Sequence, residues 1–439
     1  MSGRTDTIFS LSSGALPSGV AVIRLSGIRA FAIAATLCGA LPLDRRAELK
    51  TIRRRNDEVL DRGLVLTFKG PASFTGEDSV ELHCHGGRAV VNAVLHELST
   101  FPGCRPAEAG EFTRRAFLNG KIDLTEAEAL ADLISVETEM QRKLAIAGAD
   151  GAARALYDGW RGRLVRIRAM LEADFDFADE EDVPGSVAEI VRPSVQALLN
   201  EIEAHTGTAG ASEIIREGYR VVLAGVPNAG KSSLLNALAR RDVAIVTEEA
   251  GTTRDLVEVA LDLNGYKVLL TDTAGIRESD SAAERIGVER AHHAVRTANL
   301  VLVLVPPDGN LPELEPELDG QRRLLIRTKC DLGGSLAEDE LLPISAKTGM
   351  GLDGLINNIC DGIVADVGGD IPLSAVRVRH VGLLMQCLSV LRSCVEDGVR
   401  NEVLAEELRA ASVFLGRITG RVDVEDLLDV IFSEFCIGK

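Results

Sequence analysis

Gly225-Val226-Pro227-Asn228-Ala229-Gly230-Lys231-Ser232 has the spacing G-x-x-x-x-G-K-S, directly after an apolar run and before a helix-like stretch. Glycines in such a loop let backbone N–H groups wrap a β-phosphate, and the helix N-terminus adds its positive dipole end. Lys231 is expected to reach the β- and γ-phosphates and the Ser232 hydroxyl to ligate Mg²⁺, with Ser233 beside them. Asp272-Thr273-Ala274-Gly275 ends a second apolar run. There an Asp can hold the magnesium shell and a Gly N–H can meet the γ-phosphate. Gly251-Thr252-Thr253-Arg254-Asp255 lies between the two and supplies hydroxyls for a switch that senses phosphate and metal.

Thr328-Lys329-Cys330-Asp331 follows a third apolar run and Ser345-Ala346-Lys347 a fourth. Their order resembles the GTPase signature. Asp331 would accept hydrogen bonds from guanine N1–H and the amino group, donors that adenine does not offer, so the nucleotide is expected to be GTP. Thr328 departs from that signature, which has Asn. Ile276 stands where Ras-like GTPases carry a water-orienting Gln. Catalysis must then recruit another group; Glu278, Asp280 and Glu284 are candidates, although each, read alone, fits a charge of a solvated switch loop better.

The elements that must position these residues follow from texture. From Thr5 to about Asn119, short apolar segments (Gly19–Leu25, Arg62–Phe68, Asp78–Cys84) alternate with glycine-rich turns, the pattern of an α+β domain. From Lys121 the pattern is helical; Trp160, Leu164, Ile167, Leu171 and Phe175 make one apolar stripe, and Pro184-Gly185 marks a break. Between about Glu217 and Val367, β-like runs at Tyr219–Ala224, Lys267–Thr271, Leu300–Val305, Leu324–Thr328 and Leu341–Ser345 alternate with helix-length stretches. That alternation predicts a mostly parallel, doubly wound sheet. Helical spacing resumes at Leu404, Leu408, Ala411 and Leu415. The expected organisation is therefore multidomain, α/β and α+β. It comprises an N-terminal α+β domain (1–119), a helical domain in two pieces (120–216 and 368–439) and an inserted Ras-like G domain (217–367).

Composition narrows the class. The 439 residues carry 48 Lys+Arg against 66 Asp+Glu, a net charge of −18, which argues against loose, charge-driven nucleic-acid binding. Sixteen aromatics leave little for stacking bases. No apolar run is long enough to cross a membrane, and Met1–Ser13 has no secretory pattern, so a cytoplasmic protein is expected. The eight cysteines form no C-x-x-C and read as reduced thiols. His83-Cys84-His85 puts two histidines on one strand face, but no partner ligands are identifiable.

Asp6-Thr7-Ile8, the stretch Gly19–Gly27 (GVAVIRLSG), Ser73-Phe74-Thr75-Gly76-Glu77-Asp78, the stretch Gly110–Lys121 (GEFTRRAFLNGK) and the terminal Phe435-Cys436-Ile437-Gly438-Lys439 carry a further likeness. With the G-domain motifs, they resemble the MnmE (TrmE) tRNA modification GTPases of the TrmE-Era-EngA-like superfamily, from residue 6 to 439. Ala109 stands where the family has Pro.

The resemblance implies a K⁺-activated GTPase that dimerises through its G domains. It implies K⁺ ligands at Asn228, Thr247, Glu249 and Thr252, with Glu248, Ala250 and Gly251 in the same nucleotide-binding switch. Thr253 joins Ser232 on Mg²⁺, and Glu284 positions the attacking water. The N-terminal domain is implied to dimerise and to bind 5-formyl-tetrahydrofolate through Arg24, Glu81 and Lys121. Read alone, these three are ordinary strand-end or surface charges. Cys436 is implied to serve modification rather than GTP hydrolysis.

The implied reaction, with the FAD-dependent partner MnmG in a heterotetramer, adds a (carboxymethyl)aminomethyl group to C5 of the wobble uridine (U34) of certain tRNAs. A ribosome-assembly GTPase would instead need a basic module after the G domain, and residues 371–439 are acidic. A folate-dependent transferase with an idle G domain would turn over without GTP. Residues 1–119 hold 15 basic and 12 acidic side chains, so the remaining 320 carry about −21. Affinity for tRNA is then expected to come mostly from a more basic partner.

Overall fold

The computed structural model describes residues 6–176, 187–241, 245, 257–272, 293–307, 321–333, 341–368, 376–396, 399–422, 425–433, 435 and 438. These form two compact units. One comprises residues 1–131, 154–168 and 409–439, the other 132–153 and 169–408.

The first unit is built on a six-stranded sheet. Its strands are β1 (Thr7–Leu11), β2 (Ser18–Ser26), β3 (Glu48–Arg53), β4 (Val59–Phe68), β5 (Ser79–Gly86) and β6 (Cys104–Pro106), in the order β3-β4-β5-β2-β1-β6. All pairs are antiparallel except β1 with β6. Ala21, Ile23 and Leu25 alternate inward from β2 onto Val80, Leu82 and Cys84 of β5, as a half-buried strand requires. Helices α1 (Ala30–Cys38) and α2 (Arg88–Ser99) close that face with Ile33, Leu37, Val91, Val94 and Leu98.

Helices α3 (Glu111–Leu118) and α4 (Leu124–Ser135) follow. They share a small apolar cluster with the C-terminal helix Glu425–Ser433, through Phe117, Leu124, Leu428, Phe432 and Phe435. The chain end seats on β1. Ser12 Oγ donates to Gly438 O at 2.7 Å. Gly438 has φ +107°, and a Cβ there would lie 2.1 Å from Leu11 O.

In the second unit, β7 (Tyr219–Gly225), β8 (Val257–Leu263), β9 (Tyr266–Asp272), β10 (Leu300–Val305), β11 (Arg323–Arg327) and β12 (Leu342–Pro343) form the sheet β12-β11-β10-β7-β9-β8. Every pair is parallel except the β8–β9 hairpin. Val221 and Leu223 of β7 face one core with Leu300, Leu302 and Leu304. Val222 faces the other with Val301 and Val303. Burial on both faces is why these strands read as continuous apolar runs.

Helix α5 (Glu139–Ala149) and the helix Ala209–Glu217 lie on the hairpin side: Leu144 and Ile215 join its core, Met140 N donates to Gly265 O at 3.0 Å, and Lys267 pairs with Glu137 at 2.7 Å. In the long helix α6 (Ala152–Asp176), Trp160, Leu164, Ile167 and Leu171 are buried as their spacing predicts. Leu404, Leu408, Ala411 and Leu415 are likewise buried in the helix Asn401–Ile418. The Phe175 side chain and the Pro184-Gly185 break lie outside the described residues.

Candidate active site

Strand β7 runs directly into the glycine-rich loop, and the helix Lys231–Ala239 leaves it. The turn needs unusual backbone. Gly225 has φ +140°, and a Cβ there would meet Leu304 O at 2.5 Å. Asn228 at φ +63° and Gly230 at φ +100° also take the left-handed region. The first helical N–H groups therefore open on the loop, the geometry that receives a phosphate.

Lys231 is only 7% exposed. Its ammonium donates to Gly225 O at 2.6 Å and Val226 O at 3.2 Å. Among the described residues no carboxylate lies within ion-pair distance of it. Burial lowers its pKa, and the more distant Asp272 charge opposes this only in part. Ser232 Oγ donates to Asp272 Oδ2 at 2.8 Å. The helix start and the end of β9 thus bring a hydroxyl and a carboxylate oxygen to one point, hard donors of the kind Mg²⁺ takes. A groove of about 480 Å³ runs alongside, lined by Ser233, Asn236, Arg240, Arg241, Ala346 and Lys347 among others.

At the ends of β11 and β12 the remaining motif residues meet the loop. Thr328 Oγ1 donates to Ala229 O at 2.7 Å, and Lys329 Nζ to Asn228 O at 2.8 Å. Ser345 Oγ, fully buried, donates to Asp331 Oδ1 at 2.7 Å and itself accepts Thr348 N. Asp331 is thereby fixed while other lone pairs of its carboxylate stay available. Of the predicted nucleotide-site residues, Thr247, Glu248, Glu249, Ala250, Gly251, Thr252, Thr253, Thr273, Ala274, Gly275 and Glu284 lie outside the described residues.

A second constellation sits in the first unit. Arg24 on β2 is the register partner of Glu81 on β5, and its guanidinium meets Glu81 Oε1 at 2.9 Å. Arg24 also stands 5.8 Å from the ring centroids of Phe74 and Phe112, and Phe74 is half-exposed. Glu81 Oε2 contacts His83 Nε2 at 3.1 Å. Lys121 Nζ donates to Pro71 O at 2.8 Å, and its stem lies against Gly76 of the Phe74 loop. Arg24, paired with Glu81, and Lys121 thus border one loop. Cys436 lies outside the described residues, but its neighbour Gly438 docks on β1, whose Ser10 is the register partner of Arg24.

The sequence assigns no role to the other charged residues of the N-terminal motifs, among them Asp6, Glu77, Glu111 and Arg115. Glu77 accepts from Ser26 Oγ at 2.8 Å and from Arg115 at 3.0 Å. Arg115 also donates to Glu111 at 2.9 Å and to Asp6 O at 2.9 Å, and Glu111 accepts from Arg105 at 2.8 Å. Burial alone would raise the Glu111 pKa, but the Arg105 and Arg115 guanidiniums and the Glu108 N–H bring it below the ordinary value. The available signal was the placing of E-D and E-x-x-x-R charges among apolar residues.

Loop, parallel sheet, helix and the Asp331–Ser345 pair together define a P-loop GTPase. A model of the GTP-binding protein TrmE N-terminus matches residues 7–121, and a model of the MnmE helical domain matches 124–436. The tRNA modification GTPase MnmE of Brucella melitensis is 53% identical over 435 residues, covering 99% of this chain and 98% of that protein. Its Agrobacterium fabrum counterpart is 52% identical over 446 residues, with full coverage of both. The G domain of the T. maritima FeoB iron transporter is 27% identical over 33% of this chain and 98% of that one, with a TM-score of 0.26 that carries no weight. The chain belongs to the tRNA modification GTPase MnmE family. It is a GTP hydrolase of tRNA modification, and among its described residues no helix is long and apolar enough to cross a membrane.

Proposed function

We propose that this chain is a cytoplasmic, K⁺-activated GTPase that dimerises through its G domains. With an FAD-dependent partner of the MnmG kind it adds a (carboxymethyl)aminomethyl group to C5 of U34 in certain tRNAs. The observation that carries the reading is the full-length relationship to MnmE, together with a P-loop whose lysine waits on neutral carbonyls.

Within the G domain (217–367), Lys231 leaves Gly225 O and Val226 O for the β- and γ-phosphate oxygens. Ser232 and Asp272, with Thr253, hold Mg²⁺. Asn228, Thr247, Glu249 and Thr252 hold K⁺. When bound, the two cations offset charge that develops on the transferred phosphoryl group. Glu284 orients the attacking water, a task Ile276 cannot perform. Asp331 reads the guanine edge while Ser345 holds its carboxylate.

Residues 1–119 dimerise and bind a tetrahydrofolate through Arg24, Glu81 and Lys121, which when bound supplies the one-carbon unit. An exposed ring beside an arginine and a lysine suits a ligand with both an aromatic ring and carboxylates. The helical pieces (120–216 and 368–439) relay G-domain closure, a reading supported by the bonds from Met140 and Glu137 to the β8–β9 hairpin. Cys436 acts in the modification step.

The test is hydrolysis in K⁺ against Na⁺, with Asn228→Ala as control, alongside nucleoside analysis of bulk tRNA from a deletion strain. Activity confined to K⁺ and lost in the variant, with U34 modification missing from the strain, is expected. Equal rates in the two salts, or unchanged U34, would overturn the reading.

A further inference from the structure

Thr328 stands where GTPases of this signature carry Asn, and its surroundings give the exchange a chemical consequence. The residue directly follows β11 and is 4% exposed. Its own N–H is used on Val305 O at 2.9 Å. The hydroxyl lies 2.7 Å from Ala229 O and 3.4 Å from Val305 O, both backbone carbonyls. Gly230 packs beside it, with an added Cβ 3.9 Å from Thr328 Cβ and Oγ1. A hydroxyl has one proton to give, whereas an amide has two. Here both near partners are acceptors, so that proton is committed to the P-loop.

On its recognition edges guanine offers acceptors at N7 and O6 and donors at N1 and the 2-amino group. Thr328 has no proton left for N7. Asp331, tethered by Ser345, can meet only the donors. We propose that Thr328 is a P-loop tether with no bond to the base. The side chains then read guanine through Asp331 at N1–H and the 2-amino group, and the site tolerates nucleotides altered at N7. The inference rests on the guanine reading of Asp331 and refines it.

Binding of GDP, 7-deaza-GDP, IDP and ADP to the full chain, by displacement of a fluorescent GDP, tests both. The chain should bind 7-deaza-GDP within about twofold of GDP. IDP, lacking the 2-amino group, should lose about tenfold or more, the range of a hydrogen bond to a charged acceptor. In Thr328→Asn, a second N–H becomes available and 7-deaza-GDP should fall about fivefold behind GDP, the size of one neutral hydrogen bond. If the unaltered chain already loses fivefold or more on 7-deaza-GDP, Thr328 contacts the base and the inference fails. If ADP binds as tightly as GDP, the guanine reading itself fails. The comparison of GDP with 7-deaza-GDP on the unaltered chain decides the point even if Thr328→Asn does not fold.

Discussion

The two units handle buried charge in opposite ways. Around Glu111, each ionic group faces an opposite one: Arg105 and Arg115 clamp it, and Arg115 extends the chain to Glu77. Around Lys231, the cation rests on two neutral carbonyls. In the first case partners pull the Glu111 pKa down despite burial. In the second, burial lowers the Lys231 pKa with only partial opposition. A closed network gives rigidity to the unit that contains it, because removing any member strands another charge. A cation held by carbonyls can transfer to an anion at little cost, since the loop gives up neutral contacts for charge-assisted ones. The first arrangement suits a structural role and the second suits ligand capture.

The contrast is broken most directly at Lys231. Lys231→Ala should lower GTP hydrolysis at least about 100-fold, the scale of losing one preorganised charge-stabilising donor. The ligand-free variant should melt no lower than the parent. Folding depresses the lysine's pKa below 10.5, so its charged form carries a cost at neutral pH that is relieved only as pH rises through the folded value. A marked drop in the ligand-free melting temperature would mean that Lys231 is structural after all.

Glu111→Gln probes the other side and should destabilise the N-terminal unit by about 3 kcal/mol at pH 7. Because the folded pKa is depressed, the carboxylate's contribution is fully present above the ordinary value of 4.5 and lost as pH falls through the folded one. The gap between variant and parent, measured by denaturant unfolding, should therefore shrink on acidification. A gap independent of pH would show that shape rather than charge holds the network.

A smaller effect is expected at the chain end. Gly438→Ala combines φ +107° with a clash on Leu11 O and should cost about 1–3 kcal/mol of tail docking. Faster hydrogen exchange at residues 425–439 and in β1 would report it, and unchanged protection would contradict the seating. Least affected should be the thiols. Burial pushes Cys84, Cys387 and Cys394 up to about 12, and Cys38 and Cys104 to about 11. These five should stay inert to a thiol reagent at pH 8 until the chain unfolds.

Much of the fold is legible in the sequence where the signal is local. Tyr219–Gly225 and Leu300–Val305 declare themselves as buried parallel strands because both of their faces are apolar. The stripe beginning at Trp160 declares a helix because its period is that of one buried face. Leu341–Ser345 reads as five strand residues, but only Leu342–Pro343 pair. Beyond them Ser345 N turns to Met350 O, and Ser345 Oγ turns to Asp331. The charged motif residues were visible, but their partners were not, since Glu77 and Arg115 lie 38 positions apart.

By itself, the sequence marks the phosphate loop and, through Asp331, predicts a preference for a guanine nucleotide. Both depend on residues adjacent in the chain, whose chemistry and backbone freedom travel with them. Only the tertiary structure decided that Thr328 spends its single proton on Ala229, that Arg24 meets Glu81 across a strand pair, and that Gly438 docks on Leu11. Ser12 and Gly438 are 426 positions apart. No local spacing encodes such a contact; strand register and the packing of the C-terminal helix against α3 and α4 create it.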